Sequence, residues 1–356
     1  MSKLNLKNFV KIRSYLDAYL EKPSKFLSRD IIFAHLDFEP FTSFIAKGQD
    51  FTVISGLNPS SSLHLGHKLM FDMLLFLQKL GATIFIPITN DESYVDGKVE
   101  SLAEGRKMAY EKIIPSIVAF GFDPKKTKIF VDSDYPDLYN LAVLISKHVT
   151  DNYVRKVFGK GALDNSGKAF YRSAVQLAQI LLPQLTEFGG PKNTLIPVGI
   201  DQHPYILLAR DIAKKIGLVP PSELVFKFQG SLLDPSKKMS GSKPKTAIYL
   251  DDSAEVIRKK IFSAYTGSVS LLDAHKKLGG VPEACSVFSL LYFHHPDEAL
   301  VNDIYKKYKA GKITMTGLKE MTTEFVVGLV KEHQKKVKAV KNLKQFLIKK
   351  PIRSIF

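Results

Sequence analysis

The chain has 356 residues, 45% of them hydrophobic and 24% charged, enough apolar content for one large or two smaller cores and too much for intrinsic disorder. Lysine and arginine number 51 against 35 acidic residues, a net charge of +16, and the single cysteine, Cys285, excludes an internal disulfide framework and any all-cysteine metal site. No run approaches the ~20 apolar residues of a membrane helix, and the charged, periodic start lacks a signal core, so a cytoplasmic location without membrane contact is expected.

In chain order, 5–25 is expected to form one helix ending near Pro23, and 29–47 short helices with a loop at 38–41. DFTVIS, 50–55, reads as a buried strand dense in β-branched residues, and GLNPSSS after it as a turn. HLGHKLMFDMLLFLQKLG follows with near-helical apolar spacing and Gly81 as its stop, then a second strand, ATIFIPIT, at 82–89. Strand, helix and strand with short links make a βαβ unit, hence parallel pairing. The polar stretch NDESYVDG comes next, a helix at 101–120, a third strand at 126–134, and a helix over 136–158 interrupted around 148–151. Residues 165–185 read as loop then helix, started by Asn165 or Ser166, and 193–201 as a fourth strand ending at Asp201 and Gln202. A helix follows, and LVFKFQGSLLDPSKKMSGSKPKTAIYL reads as loop with short extended pieces. From 252 the pattern is helical, with helices at 252–264, 270–278, 284–293, 296–309 and 314–350.

The expected fold is therefore α/β, a doubly wound parallel-sheet nucleotide-binding domain with a C-terminal all-helical domain. The boundaries are 1–49 for an N-terminal helical segment, 50–260 for the nucleotide-binding domain and 261–356 for the helical one. In such sheets the reactive crevice lies beyond the carboxyl ends of the strands. From residue 301 onward there are 14 basic against 4 acidic residues, with one arginine, Arg353. That excess points to a polyanion, nucleic acid first, attracted by its backbone rather than read by its bases.

Two constellations carry chemistry. In PSSSLHLGHK, His64 and His67 share a helix face, Gly66 lets a group approach the backbone, and helix-start N–H groups favour anions. These features fit a triphosphate with imidazoles beside the reacting phosphorus; alone, they also fit a capped helix start. Two histidines without a third ligand make zinc a poor match, and no GxxxxGK[ST] or GxGxxG is present. In DPSKKMSGSKPK, Lys237, Lys238 and Lys243 flank small hydroxyl residues, as in a mobile loop that closes over phosphates, or in an ordinary polar surface loop.

Together, HLGH and KMSGS resemble the two signatures of the class I aminoacyl-tRNA synthetases, in the order and spacing of their tryptophan/tyrosine subclass. GLNPSSSLHLGH, PITNDESY, VGIDQHPYILLARDIA and KMSGSKPKTAIYLDD are most similar to the tryptophanyl type of archaea and eukaryotic cytosol, over nearly all of 29–340. The resemblance implies activation of tryptophan by ATP to the adenylate, then transfer to tRNA(Trp). By it, His64, His67 and Lys238 stabilise the phosphates; Gly66, Asp201, Gln202, Lys237, Met239, Ser240 and Ser242 bind ATP; and Glu92, Gln176, Ile54 and Pro87 line the amino-acid site. Mg²⁺ accompanies ATP without a dedicated protein cage, 265–350 binds the tRNA anticodon, and the protein is a homodimer.

Two positions depart from that pattern. Ile54 stands where the family usually has tyrosine and Pro87 where it has glutamine, so two hydrogen-bonding side chains of the tryptophan pocket are missing. A tyrosine-specific enzyme of the same subclass is the alternative; against it, Tyr171 and Gln176 lie five apart, where tyrosine enzymes have such a pair four apart. Taken alone, Glu92 reads as a solvent-exposed carboxylate.

Overall fold

A computed structural model describes residues 4–159, 165–267 and 279–354. The expected helix at 270–278 lies outside the described residues. Among those described, seven strands form one sheet: β1 (Lys7–Asn8), β2 (Ile32–Leu36), β3 (Thr52–Ile54), β4 (Thr83–Ile88), β5 (Thr127–Val131), β6 (Thr194–Val198) and β7 (Ser222–Phe226). Their order is β1-β2-β7-β6-β3-β4-β5. Strands β3 to β7 are mutually parallel, while β2 and β1 add an antiparallel edge. The fold is α/β with a Rossmann-like parallel sheet and a predominantly helical C-terminal region.

Neighbouring residues along each parallel strand serve opposite cores, which is the period-2 geometry of a sheet covered on both faces. Val53, Ile84, Ile86, Ile129 and Leu195 join one apolar cluster with the helix Leu65–Lys79 and the C-terminal helices. Ile54, Phe85, Phe130 and Ile196 join the other, under the helices Asp137–Ser146, Gln176–Leu181 and His203–Lys215. The interruption expected near 148–151 separates Asp137–Ser146 from Asp151–Phe158. Asn165 caps the next helix by accepting the Lys168 N–H.

Several expectations about the ends of the chain are corrected. The helix expected at 5–25 is confined to Val10–Asp17 and preceded by β1. Within 29–47, Ile32–Leu36 is a strand, and the expected loop at 38–41 is the start of the helix Glu39–Ala46. Asp30 and Asp37, at φ of 50° and 53°, bracket β2 in the left-handed turns that aspartate tolerates. The segment 1–49 is thus part of the sheet rather than purely helical. The stretch after β4 is a helix, Asn90–Val95, and the first of the short extended pieces expected from Leu224 onward is the end of β7, which begins two residues earlier at Ser222.

The last helix, Met315–Ala339, stops eleven residues before the expected 350. Beyond it the chain runs extended along the outer edge of β5. Ile129 N–H donates to Phe346 O at 2.7 Å, and Ile348 N–H to Ile129 O at 2.9 Å. The strap continues past Tyr135, whose hydroxyl donates to Lys350 O at 2.7 Å, and buries Ile352 to 2% exposure. Edge pairing gives these residues backbone partners that a helix continued into solvent would lack the packing to match.

Candidate active site

The strand order reverses at β3: β4 and β5 are laid down on one side of it, β6 and β7 on the other. Beyond the carboxyl ends of β3 and β6 opens a cavity of about 850 Å³, at the topological switch point of the sheet. Ser55 spans the crevice, its hydroxyl donating to Pro197 O at 3.3 Å.

The first wall comes from the helix Leu65–Lys79. His64 is its N-cap, and the two histidines cap each other: His67 N–H donates to His64 Nδ1 at 3.4 Å and His64 N–H to His67 Nδ1 at 3.2 Å. Their rings stack with centroids 3.8 Å apart. Because each Nδ1 accepts, each neutral ring carries its proton on Nε2. Burial, with Lys238 adding repulsion, lowers His64 to about 4. Burial, then the neighbouring His64, holds His67 well below the usual imidazole range. Both are neutral N–H donors at pH 7, not cations.

The second wall is the loop carrying Lys238, about 180 residues further along the chain, and it is stitched to the first. Leu65 N–H donates to Ile248 O at 3.0 Å and Leu250 N–H to Leu63 O at 2.8 Å, while the Tyr249 hydroxyl holds Gly241 O at 2.7 Å. Gly241 lies directly against the first wall: a Cβ there would stand 2.1 Å from Ser61 Oγ, which would have to turn aside. At Gly66 a Cβ would stand 3.0 Å from the His64 ring and 3.6 Å from Met239 Cβ. Lys238 reaches across to Asp201, Nζ to Oδ2 3.5 Å, with both side chains at least half exposed.

Of the residues singled out in the sequence, Ile54, His64, Gly66, His67, Pro87, Glu92, Gln176, Gln202, Lys238, Met239, Ser240 and Ser242 line this one cavity. Asp201 stands at its rim, in contact with Lys238. Lys237 does not join them; it pairs with Asp234 at 2.9 Å and is 76% exposed. Glu92 is not a surface carboxylate. It is half-buried, accepts the Thr89 hydroxyl at 2.8 Å, and burial raises its pKa.

Tyr171 and Gln176 also both line the cavity. Residues Tyr171–Val175 form a π-turn, and Gln176 N–H donates to Tyr171 O. Across such a turn, five residues do what four do in an α-helix, so the five-residue spacing carries no weight against a tyrosine pocket. Sequence reasoning missed Gln179, which lines the cavity at 4% exposure and is tied to Tyr171 and Asp132. Its position three after Gln176, on the same helix face, was the available signal. Among the described residues no group of three or more His, Cys, Asp or Glu could hold a metal ion.

Residues 46–331 match the family described as tRNA synthetases class I (W and Y). The chain is 38% identical over 330 residues to the tryptophan–tRNA ligase of Methanocaldococcus jannaschii, covering 91% of this chain and 88% of that protein. Its fold is similar to the crystal structure of tryptophanyl-tRNA synthetase from Aeropyrum pernix, with a TM-score of 0.90, 32% identity and coverage of 98% and 95% of the two chains. A tryptophanyl-tRNA synthetase from Encephalitozoon cuniculi, solved bound to tryptophan, gives a TM-score of 0.86 at 29% identity, covering 98% of this chain and 96% of that one.

Proposed function

The chain belongs to the class I aminoacyl-tRNA synthetases of the tryptophan and tyrosine type, and we infer that its cavity runs the ATP-dependent ligation of tryptophan to tRNA(Trp). The relatives compared are tryptophan enzymes, and nothing favours the tyrosine alternative.

In the first step a tryptophan carboxylate oxygen attacks the α-phosphorus of ATP, the bond to the bridging oxygen breaks, and pyrophosphate leaves. Neither reactant needs a proton removed, so the enzyme's means are positioning and charge stabilisation. His64 and His67 donate from Nε2 to phosphate oxygens. Lys238 leaves Asp201 and follows the charge onto the departing pyrophosphate, with the Ser240 and Ser242 hydroxyls beside it. Gly66 and Met239 bound the nucleotide, Gln202 lies near its ribose, and Lys237 helps hold the loop through Asp234. Mg²⁺ arrives on the ATP phosphates. Glu92 faces the substrate ammonium, with Gln176 fixing the same end, and Ile54 and Pro87 flank the ring. In the second step the terminal ribose hydroxyl of tRNA attacks the adenylate carbonyl and AMP leaves.

The helical region from 261 is proposed to grip the anticodon end of tRNA, its lysines attracting the backbone. The working unit is proposed to be a cytoplasmic homodimer of 39.9 kDa chains, which sedimentation would test. Among the described residues no helix is long and apolar enough to cross a membrane.

The observation that carries this reading is the meeting of the two signature loops, Gly241 against Ser61 and Lys238 opposite Asp201, over one crevice. Pyrophosphate–ATP exchange with each amino acid, followed by tRNA charging, tests it. Tryptophan alone should support both; exchange with no amino acid overturns the assignment, and exchange with tyrosine alone replaces the substrate.

A further inference from the structure

The side chain of tryptophan carries one polar group, an N–H that donates and cannot accept. A pocket that selects it must aim an acceptor at that position. Ile54, Pro87, Ile180, Ile196 and Ile206 line the cavity without offering one. Gln179 and Tyr171 reach the same cavity, each 4% exposed.

The Gln179 amide has one end tied down. Its Nε2 donates to Asp132 Oδ2, while the Tyr171 hydroxyl lies 3.4 Å from both amide atoms, a long contact to either. Asp132, at the carboxyl end of β5, is fully buried, and its Oδ1 has no N–H or O–H donor. The Asp91 carboxyl lies beside it. Asp91 is supplied as a carboxylate should be, with Oδ1 accepting the Glu92 N–H at 2.8 Å and Oδ2 the Tyr139 hydroxyl at 3.1 Å.

Two neighbouring buried carboxyls disfavour a second charge, so the pair holds one proton, on Asp132, which has one donor where Asp91 has two. Burial and the neighbouring Asp91 push Asp132 well above the usual carboxyl range. Neutral Asp132 donates its O–H to Asp91, and its carbonyl oxygen accepts Gln179 Nε2. A flipped amide would set two carbonyl oxygens against each other. Such a polarised chain also strengthens its last acceptor.

We propose that Gln179 Oε1 is the acceptor that recognises the indole N–H, and that Asp132 is the positioning residue that decides which end of the Gln179 amide faces the cavity. This rests on tryptophan being the substrate.

The test is pyrophosphate exchange with tryptophan and with the analogue in which sulfur replaces the indole N–H. The wild-type protein should prefer tryptophan in kcat/KM by about tenfold to a hundredfold. Gln179→Met, which keeps the side chain's length and loses both amide atoms, should bring that ratio to near one, mainly through the KM for tryptophan, with ATP KM unchanged. Asp132→Asn offers an N–H to Asp91 and a carbonyl to Gln179, so it should keep the ratio, whereas Asp132→Leu should lose it. A ratio retained in folded Gln179→Met, lost in Asp132→Asn, or near one in the wild type overturns the proposal. The wild-type ratio and Asp132→Asn decide the matter if Gln179→Met fails to fold. A wild-type protein that activates no tryptophan at all would instead overturn the substrate assignment.

Discussion

At the scale of single residues, burial keeps the histidine pair His64 and His67 neutral. The unfolded chain binds a proton on each imidazole near pH 6.5, whereas His64 holds its own off to about 4, and so does His333, buried on the last helix away from the site against Ser116, in each case first through burial. Stability is therefore intact above 6.5 and falls as pH drops from 6.5 towards 4, by about 1–2 kcal/mol per histidine at pH 5. Denaturant midpoints at pH 7 and pH 5 should show that loss. The exchange rate should show no histidine inflection between pH 6 and 7.5, because no charged imidazole is being lost there. Lys238 is different, an exposed cation proposed to act once charge moves. Lys238→Ala should slow adenylate formation by about a hundredfold while tryptophan affinity stays within about twofold, read by single-turnover kinetics and ligand titration. Gly241→Ala would set a methyl against Ser61 Oγ, which can turn aside about its own bond, so the two signature loops should stay together and the exchange rate should fall only modestly. The double variant with Ser61→Ala removes the clashing hydroxyl and should recover that loss.

At the scale of elements, the sequence is most legible where one local force acts alone. Strands β3 to β6 announce themselves as short apolar runs bounded by turns, because a strand buried on both faces needs nothing else. The antiparallel strand β2 was hidden because IFAHL has little β-branching and its partner β7 lies about 190 residues away. The end of the last helix was hidden for a related reason. KAVKNLKQFLIKK holds neither glycine nor proline, and only the open edge of β5 draws it into a strap. That strap predicts its own importance. Ile352→Ala should cost about 2 kcal/mol, and removing residues 341–356 should cost more and expose the β5 edge to aggregation. Thermal melts with light scattering would read both.

At the scale of the whole molecule, charge and chemistry are segregated. The substrate cavity sits at the switch point of the sheet, while the lysine excess lies on the last helix and the strap. Raising salt from 50 to 200 mM should weaken tRNA binding by at least tenfold and leave the KM for tryptophan within about twofold. Equal sensitivity of the two would place the basic surface outside tRNA binding.

By itself, the sequence determined the parallel α/β core, the helical C-terminal region and the two motifs that meet in the cavity. Those signals are local: apolar period, turn residues and two short motifs whose chemistry needs particular side chains at particular spacings. Tertiary structure alone decided that Lys237 turns away from the cavity, that Glu92 is half-buried, that β1 with β2 and the strap flank the parallel strands on either side, and that Gln179 Nε2 meets Asp132. Each of these depends on a partner far along the chain, and burial or pairing at that distance has no local periodicity to record it.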